Sequence, residues 1–140
     1  MVNELIVREC HEDDAEAVLE LWQQAEATVS VTDTIEDIRC IVRCPTASAL
    51  VAESNGRIIG SVLGSFDGWR WNIYRLAVLP EFRRQGVARR LLVQLEKWLL
   101  DQGAKRVTAL VEKDHPWATG FWDAAGYTPE PLDVRYVRNF

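Results

Sequence analysis

The stretch that most constrains the fold is Leu76-Ala77-Val78-Leu79-Pro80-Glu81-Phe82-Arg83-Arg84-Gln85-Gly86-Val87-Ala88-Arg89-Arg90-Leu91-Leu92. It reads as an apolar strand, a short turn, an Arg/Gln/Gly loop and the start of a long amphipathic helix. On that helix Ala88, Leu91, Leu92, Leu95, Trp98 and Leu99 recur at three- and four-residue spacing, which predicts one buried face. No Ser, Thr, Asp or Asn stands at the helix start as a cap. Arg83, Arg84, Gln85, Gly86 and Val87 lie instead where the first backbone N–H groups have no intrahelical partner. A helix start with free N–H groups, a positive dipole end and arginines nearby suits an anion. Gly86 lets a ligand come close to the backbone. The plain alternative is a strand–turn–helix unit with a solvated basic loop. The loop is not a Walker A motif, which needs Lys and Ser/Thr after its glycines. Nor is it GxGxxG, because Gly86 is its only glycine.

The chain has 140 residues, enough for one domain over 1–140 with a real core. The net charge of −5 argues against a general affinity for nucleic acid, so the arginines between 83 and 90 stand out as a local patch. No apolar run is long enough to cross a bilayer, so no membrane partner is expected. Met1-Val2-Asn3-Glu4 lacks the start of a signal peptide, which favours a cytoplasmic protein. The three cysteines, Cys10, Cys40 and Cys44, have only His11 and His115 as companion ligands. They read as buried or half-buried free thiols, with no metal site.

In chain order, Leu5–Glu9 is a short β-branched strand. Asp13, with Glu16 as its box partner, is expected to cap a helix bearing Ala15, Val18, Leu19, Leu21, Trp22 and Ala25. Thr28–Asp33 reads as a loop. Thr34 caps a second helix carrying Ile35, Ile38, Ile41 and Val42, and Pro45 ends it. Ala49–Glu53 and Ile58–Gly64 flank an Asn55-Gly56 hairpin turn, and Asp67-Gly68 turns into the strand Trp71–Val78. After the long helix and Gly103, Arg106–Glu112 is a strand reached through a helical crossover, hence parallel to the previous one. Trp117–Ala125 is a short helix stopped by Gly126. Val134–Arg138 reads as a last strand.

Arg83-x-x-Gly86-x-Ala88, after Leu76-Ala77-Val78 and Pro80, resembles the acetyl-CoA signature (Gln/Arg-x-x-Gly-x-Gly/Ala) of the GNAT superfamily of N-acetyltransferases. The order of elements resembles that family over nearly the whole chain. Within it, the sequence looks like the ribosomal-protein-alanine-acetyltransferase-like bacterial subgroup. The resemblance implies an α/β (α+β) fold: a mixed, mostly antiparallel sheet of six to seven strands flanked by four helices. Two parallel central strands are then splayed around the coenzyme. It implies acetyl-CoA as co-substrate and no metal. The pyrophosphate falls to the loop of Arg83, Arg84, Gln85, Gly86, Val87, Ala88 and Arg89, and the pantetheine arm to the main chain of Leu76, Ala77 and Val78. Further coenzyme contacts fall to His115, Phe121 and Trp122.

Acetyl transfer to an amine needs a deprotonated, well-aimed nitrogen, a donor for the developing oxyanion, and a proton for the departing thiolate. Family members often use a carboxylate on the strand before the signature as base and a Tyr on the last helix as acid. This chain departs from both. The segment Asp114–Tyr127 resembles the family's Asn-x-x-Ala-x-x-Phe-Tyr-x-x-x-Gly-Phe/Tyr pattern, but His115 takes the Asn place and Trp122 the Tyr place. The usual Glu falls near Asn72. An indole N–H donates a hydrogen bond but is no proton donor near neutrality. Glu112, Tyr74 and Asp67 are the substitutes to weigh, and Glu112 and Tyr74 are taken as the catalytic candidates. The plain reading makes Glu112 and Asp67 solvated turn carboxylates and Tyr74 a wall residue.

A thiol with a pKa near 8.5 leaves fairly well unaided, and a general acid or base adds only ~10²–10⁴-fold. At pH 7 roughly 10 % of an α-amine is neutral, against about 0.04 % of a lysine. A site without a strong base therefore favours a low-pKa acceptor: a small-molecule amine or a peptide or protein α-amine. Trp69, Trp71, Trp117, Phe121 and Trp122 are either core or an aromatic acceptor wall. The family builds that wall from the counterpart of the Thr28–Asp33 loop and the second helix. A catalytically weak acyl-CoA-binding or sensor module is the alternative function. Monomer and homodimer both remain open.

Overall fold

A computed structural model describes residues 4–140; Met1, Val2 and Asn3, part of the leader argument above, lie outside the described residues. The chain forms two compact units, one ending at Leu110 and the other covering Val111–Phe140. The first holds β1 (Leu5–Glu9), α1 (Ala15–Gln24), α2 (Ile35–Arg43), β2 (Ala47–Ser54), β3 (Arg57–Phe66), β4 (Trp71–Val78), α3 (Val87–Asp101) and β5 (Val107–Ala109). The second holds α4 (Pro116–Ala124).

The sheet has the order β1-β2-β3-β4-β5. Its first four strands are antiparallel neighbours, and β4–β5 is parallel, as a crossover through α3 requires. Adjacent residues of β3 show what covers each face. Gly60 and Gly64 face Leu91, Val87 and Leu95 of α3, while Ser61 faces Trp22 of α1. Neighbouring residues of a strand point to opposite faces, so α1 and α3 cover the sheet from opposite sides. This double cover explains the unbroken buried runs Leu50–Ala52 and Ile59–Leu63, which lack the alternation of a half-solvated strand. The glycines of β3 set the spacing: a Cβ on Gly64 stands 2.7 Å from Leu95 Cδ1, and one on Gly60 stands 3.0 Å from Leu91 Cδ1.

Short-range signals hold at most positions. Thr34 Oγ1 accepts the N–H of Asp37 at 3.1 Å and caps α2. Asn55 and Gly56 have φ of 51° and 79°, as a tight hairpin demands. Gly103 and Gly126 take left-handed φ values of 89° and 91° past α3 and α4. Three expectations need correction. Asp13 does not cap α1; the chain enters through a 3-10 turn, Glu12–Asp14, where Asp14 Oδ2 accepts the His11 N–H at 2.7 Å. The Arg8 guanidinium bonds the same carboxylate at 2.8 Å and holds it below the usual carboxylate range, which explains why Asp14 takes the structural role. The sheet has five strands among the described residues, not six to seven, because Val134–Arg138 forms no strand. A strand needs a partner ladder for its N–H and C=O groups, and this segment has none there; Val134 and Tyr136 are exposed. Finally, the strand expected over Arg106–Glu112 narrows to Val107–Ala109.

Of the cysteines, Cys10 is buried, Cys44 half-buried and Cys40 exposed, so the expectation of covered thiols fails for Cys40. Within the second unit, Trp122 is buried and meets Phe121 and Tyr127 edge-on, with centroids 5.6 and 4.7 Å away. Among the described residues no helix is long and apolar enough to cross a membrane.

Candidate active site

The start of α3 has the form the sequence led us to expect. Gly86 is its N-cap at φ 81°, no side chain caps it, and Arg90 N–H closes back to Gly86 O at 3.0 Å. The N–H groups of Val87, Ala88 and Arg89 thus precede the first intrahelical bond and have no acceptor within the helix. A Cβ built on Gly86 meets no heavy atom within 4 Å, so the space beside those donors is open. A groove of about 800 Å³ begins at Gln85 and Gly86 and runs along Arg89, Val93 and Lys97.

The arginines divide their work. Arg83 donates to Val78 O at 3.2 Å and to Ala25 O at 3.1 Å, tying the loop to the ends of β4 and α1. What Arg83 offers a ligand is therefore its main chain. Arg90 bonds Leu5 O at 2.9 Å. Arg84 (φ 62°) and Arg89 stand exposed at the helix mouth, and Gln85 Nε2 donates to Glu81 O at 3.3 Å. Val87 is buried and Ala88 half-buried, so what they hold toward the helix mouth is the unbonded N–H of the first turn.

Beside this helix mouth the sheet comes apart. Pairing of β4 with β5 stops at Ile73 and Ala109, with a last bond from Leu110 N–H to Ile73 O at 3.2 Å. β4 itself continues through Tyr74, Arg75, Leu76, Ala77 and Val78. β5 pairs with none of these residues, and two of their carbonyls are already engaged: Arg75 O accepts Ser61 Oγ–H and Val78 O accepts the Arg83 guanidinium.

Sequence reasoning missed the bulge at the same place. Ser61 pairs with Ala77 but Leu63 pairs with Tyr74, so β4 carries one extra residue. Arg75 takes φ 56° there, a conformation that side chains other than Gly, Asn and Asp rarely adopt. The compensation is tertiary. Ser61 Oγ donates to Arg75 O at 2.8 Å and accepts Trp22 Nε1–H at 3.0 Å. The guanidinium of Arg75 lies 5.0 Å from the Trp22 ring centroid, and bonds Thr28 O at 2.9 Å and Asp33 Oδ1 at 2.6 Å. No local spacing announces this cluster.

Asn72 is half-buried and pairs with Ser65 and Thr108 in the middle of the sheet. Tyr74 is half-buried and is the first β4 residue beyond the β5 ladder; alternation puts it on the same face as Asn72. Asp67 Oδ1 accepts the N–H groups of Arg70 at 2.7 Å and Trp69 at 2.9 Å. These bonds, that of Arg70 first, hold its carboxyl below the ordinary range, so it is the turn carboxylate of the plain reading. Trp71 stacks on Phe66 at 4.4 Å and meets Trp98 edge-on at 5.6 Å, a packing role; Trp69 is exposed beneath the Arg70 guanidinium.

The remaining candidates belong to the second unit. Glu112 is exposed and its carbonyl accepts the His115 N–H at 3.3 Å. Trp117 Nε1 donates to His115 Nε2 at 3.3 Å, which makes that nitrogen the bare one and leaves the ring proton on Nδ1. Nδ1 is buried and has no hydrogen-bond partner among the described residues. Phe121 is half-buried. Among the described residues no group of three or more His, Cys, Asp or Glu is placed to hold a metal ion.

The sequence model described as "Acetyltransferase (GNAT) family" matches residues 7–127. The fold is similar to that of the PaiA N-acetyltransferase from Thermoplasma acidophilum, solved in complex with coenzyme A: TM-score 0.85, 16% identity, 94% of each chain covered. It is also similar to the aminoglycoside 6′-N-acetyltransferase from Acinetobacter baumannii: TM-score 0.78, 18% identity, 98% of this chain and 99% of that one. A second aminoglycoside N-acetyltransferase, solved with a bisubstrate analogue joining CoA to acetylneamine, gives TM-score 0.77 at 19% identity, with 99% of each chain covered.

Proposed function

Because the chain belongs to the acetyltransferase (GNAT) family, we propose that it carries an acetyl group from acetyl-CoA to a primary amine by direct attack in a ternary complex. The family match runs through both compact units, which supports reading residues 1–140 as one catalytic domain. The observation that carries the proposal is the pairing of two features: the uncapped start of α3 at Gly86 and the stretch of β4 from Tyr74 onward that β5 leaves unpaired. Similar folds solved with coenzyme A support the choice of ligand.

In this reading the N–H groups of Val87, Ala88 and Arg89 and the side chains of Arg84 and Arg89 bind the coenzyme's pyrophosphate. The main chain of Leu76, Ala77 and Val78 takes the amides of its pantetheine arm, as an added strand does. The resemblance adds His115, Phe121 and Trp122 to the proposed coenzyme contacts. When bound, acetyl-CoA supplies an activated acyl carbonyl and a thiolate leaving group. Tyr74 and Glu112 are the groups we propose for the proton transfers. With Asn72 and Trp122 at the places where the family keeps Glu and Tyr, the acceptor is a low-pKa amine: a small molecule or an α-amine. The cytoplasm, where acetyl-CoA and reduced thiols coexist, is the matching compartment.

Asn72 and Trp122 also favour the second reading, an acyl-CoA-binding sensor with weak catalysis. Calorimetry with CoA and a free-thiol assay with acetyl-CoA over an amine panel separate the two. Heat together with acceptor-dependent CoA release is the expected result. Heat without release assigns the sensor; no heat overturns both readings.

A further inference from the structure

Arg75 sits where the catalytic strand and the loop after α1 meet. Its backbone is the left-handed residue of the β4 bulge, one position from Tyr74 and from Leu76. Its side chain leaves the strand and reaches 47 residues back in sequence to Thr28 O, and 42 back to Asp33 Oδ1 at 2.6 Å. The Trp22 ring lies 5.0 Å below the guanidinium, and Trp22 itself is bonded to Ser61, which bonds Arg75 O. Main chain and side chain of one residue are thus fixed from both ends.

Asp33 is the other half of the device. Oδ1 takes the Arg75 guanidinium, while Oδ2 takes the Ser30 N–H at 3.0 Å. The pair is largely screened from water, with side-chain exposures of 19% and 14%. The Asp33 carboxylate is therefore committed and is not a free counter-ion for a cationic substrate. Ser30 Oγ and Thr32 Oγ1 join at 3.1 Å across the loop. What the loop leaves exposed carries no charge: Val29 and Val31 beside Thr28, Ser30 and Thr32. Asp33 is followed directly by the Thr34 cap of α2, so holding Asp33 also sets where that helix begins.

We propose that Arg75 is a positioning residue that locks the 28–33 loop to the β4 bulge, so that the wall receiving the amine and the strand holding the thioester keep one fixed geometry. This rests on the acetyl-transfer reading above. Through it, the acceptor meets the uncharged 28–32 surface rather than the Asp33 carboxylate. Reaction rate is sensitive to such placement, since a misplacement of about 1 Å costs ~10²-fold. None of the coenzyme residues proposed above lies in the 28–33 loop, so its release acts on the acceptor alone.

The backbone conformation provides a clean variant. Arg75→Gly removes the guanidinium while placing at φ 56° the residue that tolerates it best, so the bulge survives. Asp33→Asn breaks the pair from the other side. The probes are CoA, acetyl-CoA and three amines: phenethylamine, glucosamine and alanyl-alanine. The expected result for each variant is an acceptor KM raised about tenfold with the CoA Kd unchanged within twofold. The double variant should be no worse than the poorer single one, because one interaction is lost once. Hydrogen exchange at the amides of 28–33 should rise in both. An active parent whose variants keep the acceptor KM overturns the proposal alone, as does a CoA Kd that rises in step with that KM. A parent that binds no CoA, or that acetylates none of the three amines, overturns the kinetic role. In those cases the exchange result tells whether the lock still holds the loop.

Discussion

Trp22 donates its indole N–H to Ser61 Oγ at 3.0 Å, between two buried residues that lie 39 positions apart. The hydroxyl passes the interaction on to the carbonyl of Arg75, the left-handed residue of the β4 bulge. Ser61→Ala leaves a buried indole N–H without its acceptor and frees the bulge carbonyl. We expect a loss of about 1–3 kcal/mol in urea unfolding. A larger proportional fall in kcat than in CoA affinity should accompany it. A variant as stable as the parent would show that water replaces the hydroxyl.

Gly64 faces a helix rather than a turn. A methyl there lies 2.7 Å from Leu95 Cδ1, on a side chain that is fully buried and has nowhere to retreat. Gly64→Ala should cost ~1–3 kcal/mol through overpacking between β3 and α3. The cost should shrink in the combination with Leu95→Val, measured by the same unfolding assay.

Gly86 poses the opposite case. Its Cβ has room, but φ 81° strains any other residue by ~1 kcal/mol. The methyl also enters the open space beside the α3 donors, so Gly86→Ala should weaken CoA about tenfold, a further ~1.4 kcal/mol. Calorimetry and thermal melting separate the two effects.

The Asp14 carboxyl is held below its ordinary range by its bond to Arg8 first and by the His11 N–H next. Its contribution to stability is therefore complete above the unfolded pKa of ~3.9 and is lost as pH falls through the lower folded value. Asp14→Asn should cost about 1–2 kcal/mol at pH 7. The gap from the parent should narrow as pH falls below the unfolded pKa and close through the lower folded one, in denaturant midpoints taken across pH.

Proton handling is testable on Tyr74 and Glu112. Tyr74→Phe should reduce kcat by ~10²-fold if the phenol moves a proton, with CoA affinity retained. Glu112→Gln should flatten the acidic limb of the pH–rate profile. An unchanged profile in either variant removes that residue from catalysis. In that case the rate should follow the free-base fraction of the acceptor amine alone.

What the sequence by itself determined are the features decided within a few residues. Thr34 caps α2, Asn55-Gly56 turns the hairpin and Asp67 closes the next turn. The three- and four-residue spacing of Leu91, Leu92, Leu95 and Leu99 buries one side of α3, and the Arg83–Ala88 motif marks its open mouth. Tertiary structure decided the rest, because the partners are distant. The bulge at Arg75 depends on Ser61, Trp22, Thr28 and Asp33, none of them a sequence neighbour. Arg83 looks like a ligand group in the motif, yet its guanidinium serves Val78 and Ala25. Val134–Arg138 has the β-branched and aromatic residues of a strand, yet it joins no ladder among the described residues. A side chain's chemistry is local, but which hydrogen bonds and contacts it makes is a property of the folded surroundings.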